Sequence, residues 1–552
     1  MWIPENINIM RKASMRTLLA LLAIIIINLP MAAIISKVNF RPDSNWEHFS
    51  QYLLPDAVTN TLTLVLFTLL LSGTIGVLLA AVVALFDFPF KKFFEWALFF
   101  PITIPPYIAA YVYAGMLSYT GIIQRLGRDW GLPLNPQWLD VMNMRGAVFI
   151  YSLTLYPYIY GAVKSYLENH SGNLIDTARV LGYNPLRLFT KVVLPLIRIP
   201  LIGGLMLVMM EVVSDYGVVK YFNIQAVSSV IFKSWFGMGE AGVAIRLSFY
   251  VMVCIIALQA IEEIMRGRKK YNLGSGRGKP ITPRKLTGWK KYAVIGFILF
   301  MLSAAFLIPV GQMSVWAILA FHKVNLPNLS QIIFNTILYC VLATLIILVL
   351  NVWIAHSRRW MNIKSGFIIS KLTQLGYSIP GAVIAVGTIT LFVGLDSILH
   401  PLYRYFDPNA KKLLLSTSIA MLVFAFVVRY MAIGFNSVNS AFAKVGVKYN
   451  DAARTLGIGR TRAMLRIELP MLKNSLVAGF ILTFIDIIKE LPLTLLLRPF
   501  NFNTLASRAY EYANDERIHE SSVPALLIIV LSMLLIALLV KISSTKGGHK
   551  KR

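Results

Sequence analysis

Twelve apolar runs alternate with more polar segments along the chain, each run at least about as long as the roughly 20 residues that a helix needs to cross a bilayer. They lie at roughly 17 to 36, 59 to 86, 93 to 118, 146 to 166, 196 to 217 and 243 to 264, then 292 to 319, 333 to 355, 366 to 395, 412 to 435, 472 to 497 and 523 to 541. In lipid every backbone polar group needs an internal partner, so runs of this length predict helices. The expected fold is an all-α polytopic membrane protein with about twelve transmembrane helices.

One polar segment between runs occurs twice. LIDTARVLGYNPLRLFTKVVLP at 174 to 195 returns 275 positions later, without a gap, as YNDAARTLGIGRTRAMLRIELP at 449 to 470. Asp176 and Asp451, Ala178 and Ala453, Gly182 and Gly457, and Pro195 and Pro470 keep one offset, with Thr177 standing opposite Ala452. The same offset joins Asn60-Thr61 to Asn335-Thr336, Ile104-Pro105 to Ile379-Pro380, Glu211 to Asp486 and Asp215 to Glu490, so the chain is a fused pair of related halves. Six helices per unit is an even number, so both copies cross in the same sense, as two parallel repeats related by an axis along the membrane normal. The expected division is 1–56 with the first helix, 57–264 as the first repeat, 265–330 as a basic linker with the seventh helix, 331–537 as the second repeat, and 538–552 as a basic tail.

Composition agrees: 57% of the 552 residues are hydrophobic and 14% charged. A net charge of +28 would suggest nucleic acid in a soluble protein, but here the basic residues crowd into alternate loops. Lys91, Lys92, Arg179, Arg187, Lys191, Arg358, Arg359, Lys364, Lys444, Lys448, Arg454 and Arg466 fall on one side, with Arg11, Lys12 and Arg16 of one end and Lys550, Lys551 and Arg552 of the other. Both termini are therefore expected in the cytoplasm, and no nucleic-acid partner is expected. Residues 266 to 291 hold ten Lys or Arg and no acid, and read as a solvated linker. Gly278-Lys279 lacks the glycine a phosphate loop needs five positions earlier, where Leu273 stands, and Pro280 follows, so no ATPase is read in this chain. The first apolar run reads as a retained helix rather than a signal peptide. Cys254 and Cys340 fall inside spans, and the seven His are scattered without ligand spacing, so no metal site is assigned.

Within each copy of the module, a helical segment ends at Leu181-Gly182 or Leu456-Gly457, where glycine supplies a left-handed residue. A second amphipathic run follows, and Pro195 or Pro470 fits the first turn of the next membrane helix. The product is a helix, turn and helix, with Ala178 or Ala453 small enough to let another surface approach. A single copy would equally fit an amphipathic loop lying on headgroups; two copies in one register favour a docking knob.

The module resembles the EAA loop of permease subunits of binding-protein-dependent ABC importers. That pattern is Glu-Ala-Ala, three residues, Gly, nine residues, Ile, one residue, Leu-Pro. Asp451-Ala452-Ala453, Gly457, Ile467 and Leu469-Pro470 fit it with one Asp-for-Glu change, and Asp176-Thr177-Ala178, Gly182, Val192 and Leu194-Pro195 fit more loosely. The resemblance implies type I ABC importer transmembrane domains in the inner membrane, each loop a coupling helix seated in one of two copies of a cytoplasmic ATPase subunit. It also implies an extracytoplasmic substrate-binding protein, a chain that is not itself an enzyme, and no cofactor here, ATP and Mg being bound by the partner.

Glu211 and Asp215, like Asp486 and Glu490, are four residues apart and are expected to share a helix face. Ionisable residues at this depth usually face a bundle interior or polar cavity, which makes the four a candidate translocation pathway. The competing roles are acids at the outer interface, or structural pairs with Lys489 or Lys220 as partners. IPPYIAAY at 104 to 111 and IPGAVIAVG at 379 to 387 place Pro and Gly at matching points, as bends near a pathway or as packing kinks.

EVVSDYGVVKYF at 211 to 222 and KELPLTLLLRPFNFNTLASRAYEYANDE at 489 to 516 look like the corresponding segments of fused, twelve-helix ferric iron permeases. Thiamine permeases are a related fused group. Hard carboxylate oxygens suit a hard cation, yet the same acids would attract an organic one. The resemblance implies uptake by alternating access, the halves rocking as rigid bodies. An ion-coupled secondary transporter could also use parallel repeats and membrane carboxylates, but has no use for two such knobs.

Overall fold

The computed structural model describes residues 15–41, 44–131, 135–170, 172–266, 281–446 and 448–548. Arg11, Lys12, the final basic residues 550–552 and most of the linker expected at 266 to 291 lie outside them. The first half contains α1 (Met15–Lys37), α2 (Leu54–Leu85), α3 (Lys91–Ala97), α4 (Pro106–Leu117), α5 (Met144–His170), α6 (Gly172–Val180), α7 (Arg198–Ser214), α8 (Gly217–Tyr221) and α9 (Ala241–Arg266). The second contains α10 (Trp289–Leu302), α11 (Ile308–Ala320), α12 (Leu326–Arg358), α13 (Ile363–Ser378), α14 (Gly381–Phe406), α15 (Ile419–Val445), α16 (Lys448–Thr455), α17 (Leu469–Ile488), α18 (Pro492–Leu497) and α19 (Ile518–Gly548). The offset of 275 carries α5 onto α15 end for end, and carries the π-turn Phe189–Val193 onto Met464–Glu468. The described strands are two residues each, Phe86–Asp87 pairing in parallel with Arg284–Lys285.

Among the described residues, ten helices are individually long and apolar enough to cross a membrane, and two bent helix pairs make up two further, broken spans. The run expected as one helix over 93 to 118 bends by 88° between Lys91–Thr103 and Pro106–Asp129. Pro105 and Pro106 remove two consecutive backbone donors there, and Pro101 removes another four residues upstream. The second break, of 71°, separates Pro185–Leu196 from Arg198–Ser214. It revises the place of Pro195, which sits in the three-residue turn Leu194–Leu196 before the bend, whereas Pro470 does open α17. Three Xaa-Pro pairs, Leu194-Pro195, Ile308-Pro309 and Leu469-Pro470, each follow a π-turn. Widening the helix by one residue there relieves the clash between the ring and the preceding turn.

Each half sends its first membrane helix across to the other. α1 packs on α12, α13 and α14 as well as on α9, while α11 packs on α19 and on α4. The α1 crossing is close: a Cβ on Gly387 would stand 2.6 Å from the Pro30 carbonyl oxygen, and such small residues let membrane helices approach. Phe100 and Phe306, with ring centroids 5.4 Å apart, join the halves at the second crossing. Between the halves the broken helices leave a polar cavity.

Candidate functional site

The two modules lie at equivalent ends of parallel repeats. α6 and α16 each end on a glycine at φ +77°. Tyr183 N–H donates to the Ala178 carbonyl at 3.1 Å and Ile458 N–H to that of Ala453 at 2.9 Å, the long bond of a Schellman cap. Ala178 and Ala453 are buried and face their own bundle. This corrects the expectation that they admit an outside surface: their small size lets the module lie close on its own half. Apolar tips project instead, with Val180 87% and Leu181 69% exposed in one copy and Leu456 78% exposed in the other, beside exposed Arg454 and Thr455. Asp451, Ala452 and Thr177 are exposed, whereas Asp176 is half-buried and lies 3.5 Å from Arg179 Nη1.

Glu211, Asp215, Asp486 and Glu490 all line one cavity of about 70 Å³ between the halves. Tyr107 from the first broken span, Arg429 and Tyr430 from α15, and Lys489 add to its polar wall, and Pro105 lines it too. Arg429 Nε stands 3.5 Å from Glu490 Oε2, and its Nη1 donates to the Ile379 carbonyl at 2.7 Å. Tyr430 O–H donates to Glu490. Lys489 Nζ pairs with Asp486 Oδ1 at 2.8 Å, while Tyr377 O–H donates to Glu211 Oε1 at 3.3 Å. Both cations come from the second half; the equivalent first-half positions hold Thr154 and Ser214. The buried hydroxyls of Tyr107 and Ser214 have no hydrogen-bond partner among the described residues.

The acids do not share continuous helix faces as their spacing suggests. α7 ends at Ser214 and α17 at Ile488, which leaves Asp215 and Glu490 in the breaks. Asp215 Oδ1 accepts from Val218 N–H at 2.8 Å, and Glu490 Oε1 accepts from Leu493 N–H at 3.2 Å. Each caps the short helix that follows, α8 or α18, by satisfying a first-turn donor. Lys220, the other candidate partner, lines a separate pocket with Tyr216 and Phe232. Arg429 was missed by sequence reasoning, although one arginine inside an otherwise apolar span signals a buried polar contact.

The description "Binding-protein-dependent transport system inner membrane component" belongs to a family model that matches residues 72–271 and 352–546, once in each half. The chain belongs to this family. It is a multi-pass inner-membrane permease component of an ABC importer, with both modules inside the matched regions. This permease is 22% identical over 498 residues to an Fe(3+)-transport system permease protein of Haemophilus influenzae, covering 88% of the chain and 90% of that protein. It is 22% identical to a molybdenum transport system permease protein of the same organism over 40% of the chain and 96% of that protein. A sulfate transport system permease protein of Salmonella typhimurium is 24% identical over 36% of the chain and 69% of its own length.

Proposed function

We propose that this permease imports ferric iron, receiving it from an extracytoplasmic binding protein and driven by two copies of a cytoplasmic ATPase, one on each module. The paired modules carry the reading, because their apolar tips Val180, Leu181 and Leu456 project at equivalent ends of the two repeats and suit seats in two identical subunits. Both termini and both modules then lie in the cytoplasm, a placement that the distribution of Lys and Arg supports. ATP and Mg belong to the partner, and this chain forms no covalent intermediate. Closure of the ATPase pair moves the halves against each other, so the cavity that holds Glu211, Asp215, Asp486 and Glu490 is exposed in turn to each side. Iron is favoured by a fused relative alike over both halves, whereas the molybdenum and sulfate relatives match less than half of the chain. The carboxylates supply hard oxygen donors for a hard cation.

Proteoliposomes that contain the permease with its ATPase test this. Uptake of ferric iron delivered by the binding protein is expected to require internal ATP and to fail with a proton gradient alone. Accumulation by the permease without the ATPase overturns the importer mechanism. ATP-driven uptake of thiamine in preference to iron overturns the substrate.

A further inference from the structure

The halves anchor their module helices by different chemistry. In the second half, Arg359, which follows α12, donates from Nη1 to Glu468 Oε1 at 2.8 Å and from Nη2 to the Gly446 carbonyl. Its guanidinium lies 5.1 Å from the Phe442 ring centre. Gly446, at φ +70°, closes α15 just before α16, and Glu468 ends the π-turn downstream of α16. One guanidinium therefore grips the chain on both flanks of the module helix. The Glu468 side chain is fully buried, and His356 places Nδ1 3.4 Å from its other oxygen.

The first half has none of this ionic network. At the positions equivalent to His356, Arg359 and Glu468 it carries Ala81, Ala84 and Val193, all buried, and buried Ile175 stands where the second half has Asn450. There the module helix is tied by its own Arg179, whose guanidinium donates to the carbonyls of Leu85 at 3.3 Å and Thr282 at 2.7 Å. Thr282 O–H donates to Asp176 Oδ1 at 3.2 Å, so the chain entering the second half straps down the first module.

A buried ion pair is weak support for stability, since well-packed apolar residues in its place are often neutral or stabilising. The first half shows that this architecture accepts the apolar solution. What the bracket adds is geometry: a bidentate guanidinium fixes both partners in direction as well as distance. We propose that Arg359 and Glu468 are positioning residues of transport, which make α16 move as one body with α12 so that displacement by the ATPase reaches the second half without slack. This rests on the coupling role proposed above.

The informative variant is the full chain with Arg359→Ala and Glu468→Val together, which gives the second half the pair found in the first and leaves no buried charge unpaired between them. Spin labels at Leu456 and Val349 report the α16–α12 distance, and labels at Leu181 and Thr74 report the equivalent distance in the first half. The double variant is expected to remain folded with a modestly lower melting temperature, because the Gly446 carbonyl and buried His356 lose their partners, to broaden the first distance distribution and to leave the second unchanged. In the reconstituted complex, ATP hydrolysed per iron imported is expected to rise at least about fivefold, the lower end of typical coupling between sites. Arg359→Lys, which keeps the charge but loses the double grip, is expected to fall between. A distance distribution as narrow as wild type, or an unchanged coupling ratio, overturns the proposal. If the wild-type complex lacks ATP-driven uptake, the importer reading fails, and the label distances alone decide the anchoring.

Discussion

At φ +77°, Gly182 and Gly457 occupy a conformation that costs a residue with a Cβ about 1–2 kcal/mol. No atom lies within 4 Å of a Cβ built on either, so conformation rather than space restricts the site. Gly457→Val is therefore expected to distort the exposed turn, abolish copurification of the ATPase and leave the permease inserted; normal copurification would refute this. Gly387 is restricted by space instead, because its neighbour is the Pro30 carbonyl at 2.6 Å from a Cβ. Gly387→Leu should push α1 away and lower the melting temperature, at an overpacking cost of about 1–3 kcal/mol, whereas Gly394→Leu, with open space around it, should not.

At the scale of elements, the breaks organise the cavity. Asp215 and Glu490 stop one helix and cap the next, so their carboxyls serve the backbone as well as facing the cavity. The two roles are separable. Asp215→Asn and Glu490→Gln keep an acceptor oxygen but lose the charge, and Asp215→Ala and Glu490→Ala lose both. Asp215→Asn is expected to stay within a few tenths of a kcal/mol of wild-type stability and Asp215→Ala to lose about 1 kcal/mol more, whereas Glu490→Gln, which strands the buried Arg429, costs on the order of 3–5 kcal/mol by itself; iron uptake falls at least about tenfold in each. Unimpaired uptake by the amide variants, measured beside their unfolding midpoints, would leave the carboxyls a capping role alone. Glu490 also faces Arg429, so Glu490→Gln paired with Arg429→Gln is the fairer comparison for that half.

For the whole molecule, packing joins the halves as well as the fused chain does. α1 lies against α12, α13 and α14, and α11 lies against α4, so each half grips the other through its first membrane helix. Co-expressed fragments 1–273 and 274–552 are expected to copurify as a stable complex, and removal of residues 1–40 from the first fragment to weaken that association severely. Independent behaviour of intact fragments on size exclusion would contradict this. The strap from Thr282 to Asp176 gives the connecting segment a further role that cleavage at 273 leaves in place.

Helix number, the pairing of the halves and the place of both modules were legible along the chain because each rests on a short-range physical rule: apolar length for spans, a constant offset for repeats, glycine before a new amphipathic run for the turn. The family likeness followed from those same residues. Contacts between segments distant in sequence were not legible. That Ala178 and Ala453 turn inward, that four acids from two repeats meet Arg429 and Lys489 in one cavity, and that Asp215 and Glu490 sit in breaks rather than along a helix all depend on where helices end and cross. The anchoring of α16 by Arg359 and Glu468 belongs to the same class, since residues 109 apart meet only once α12 and the π-turn before α17 are packed together. Local patterning set which segments enter the membrane; packing between distant segments decided which charges face one another.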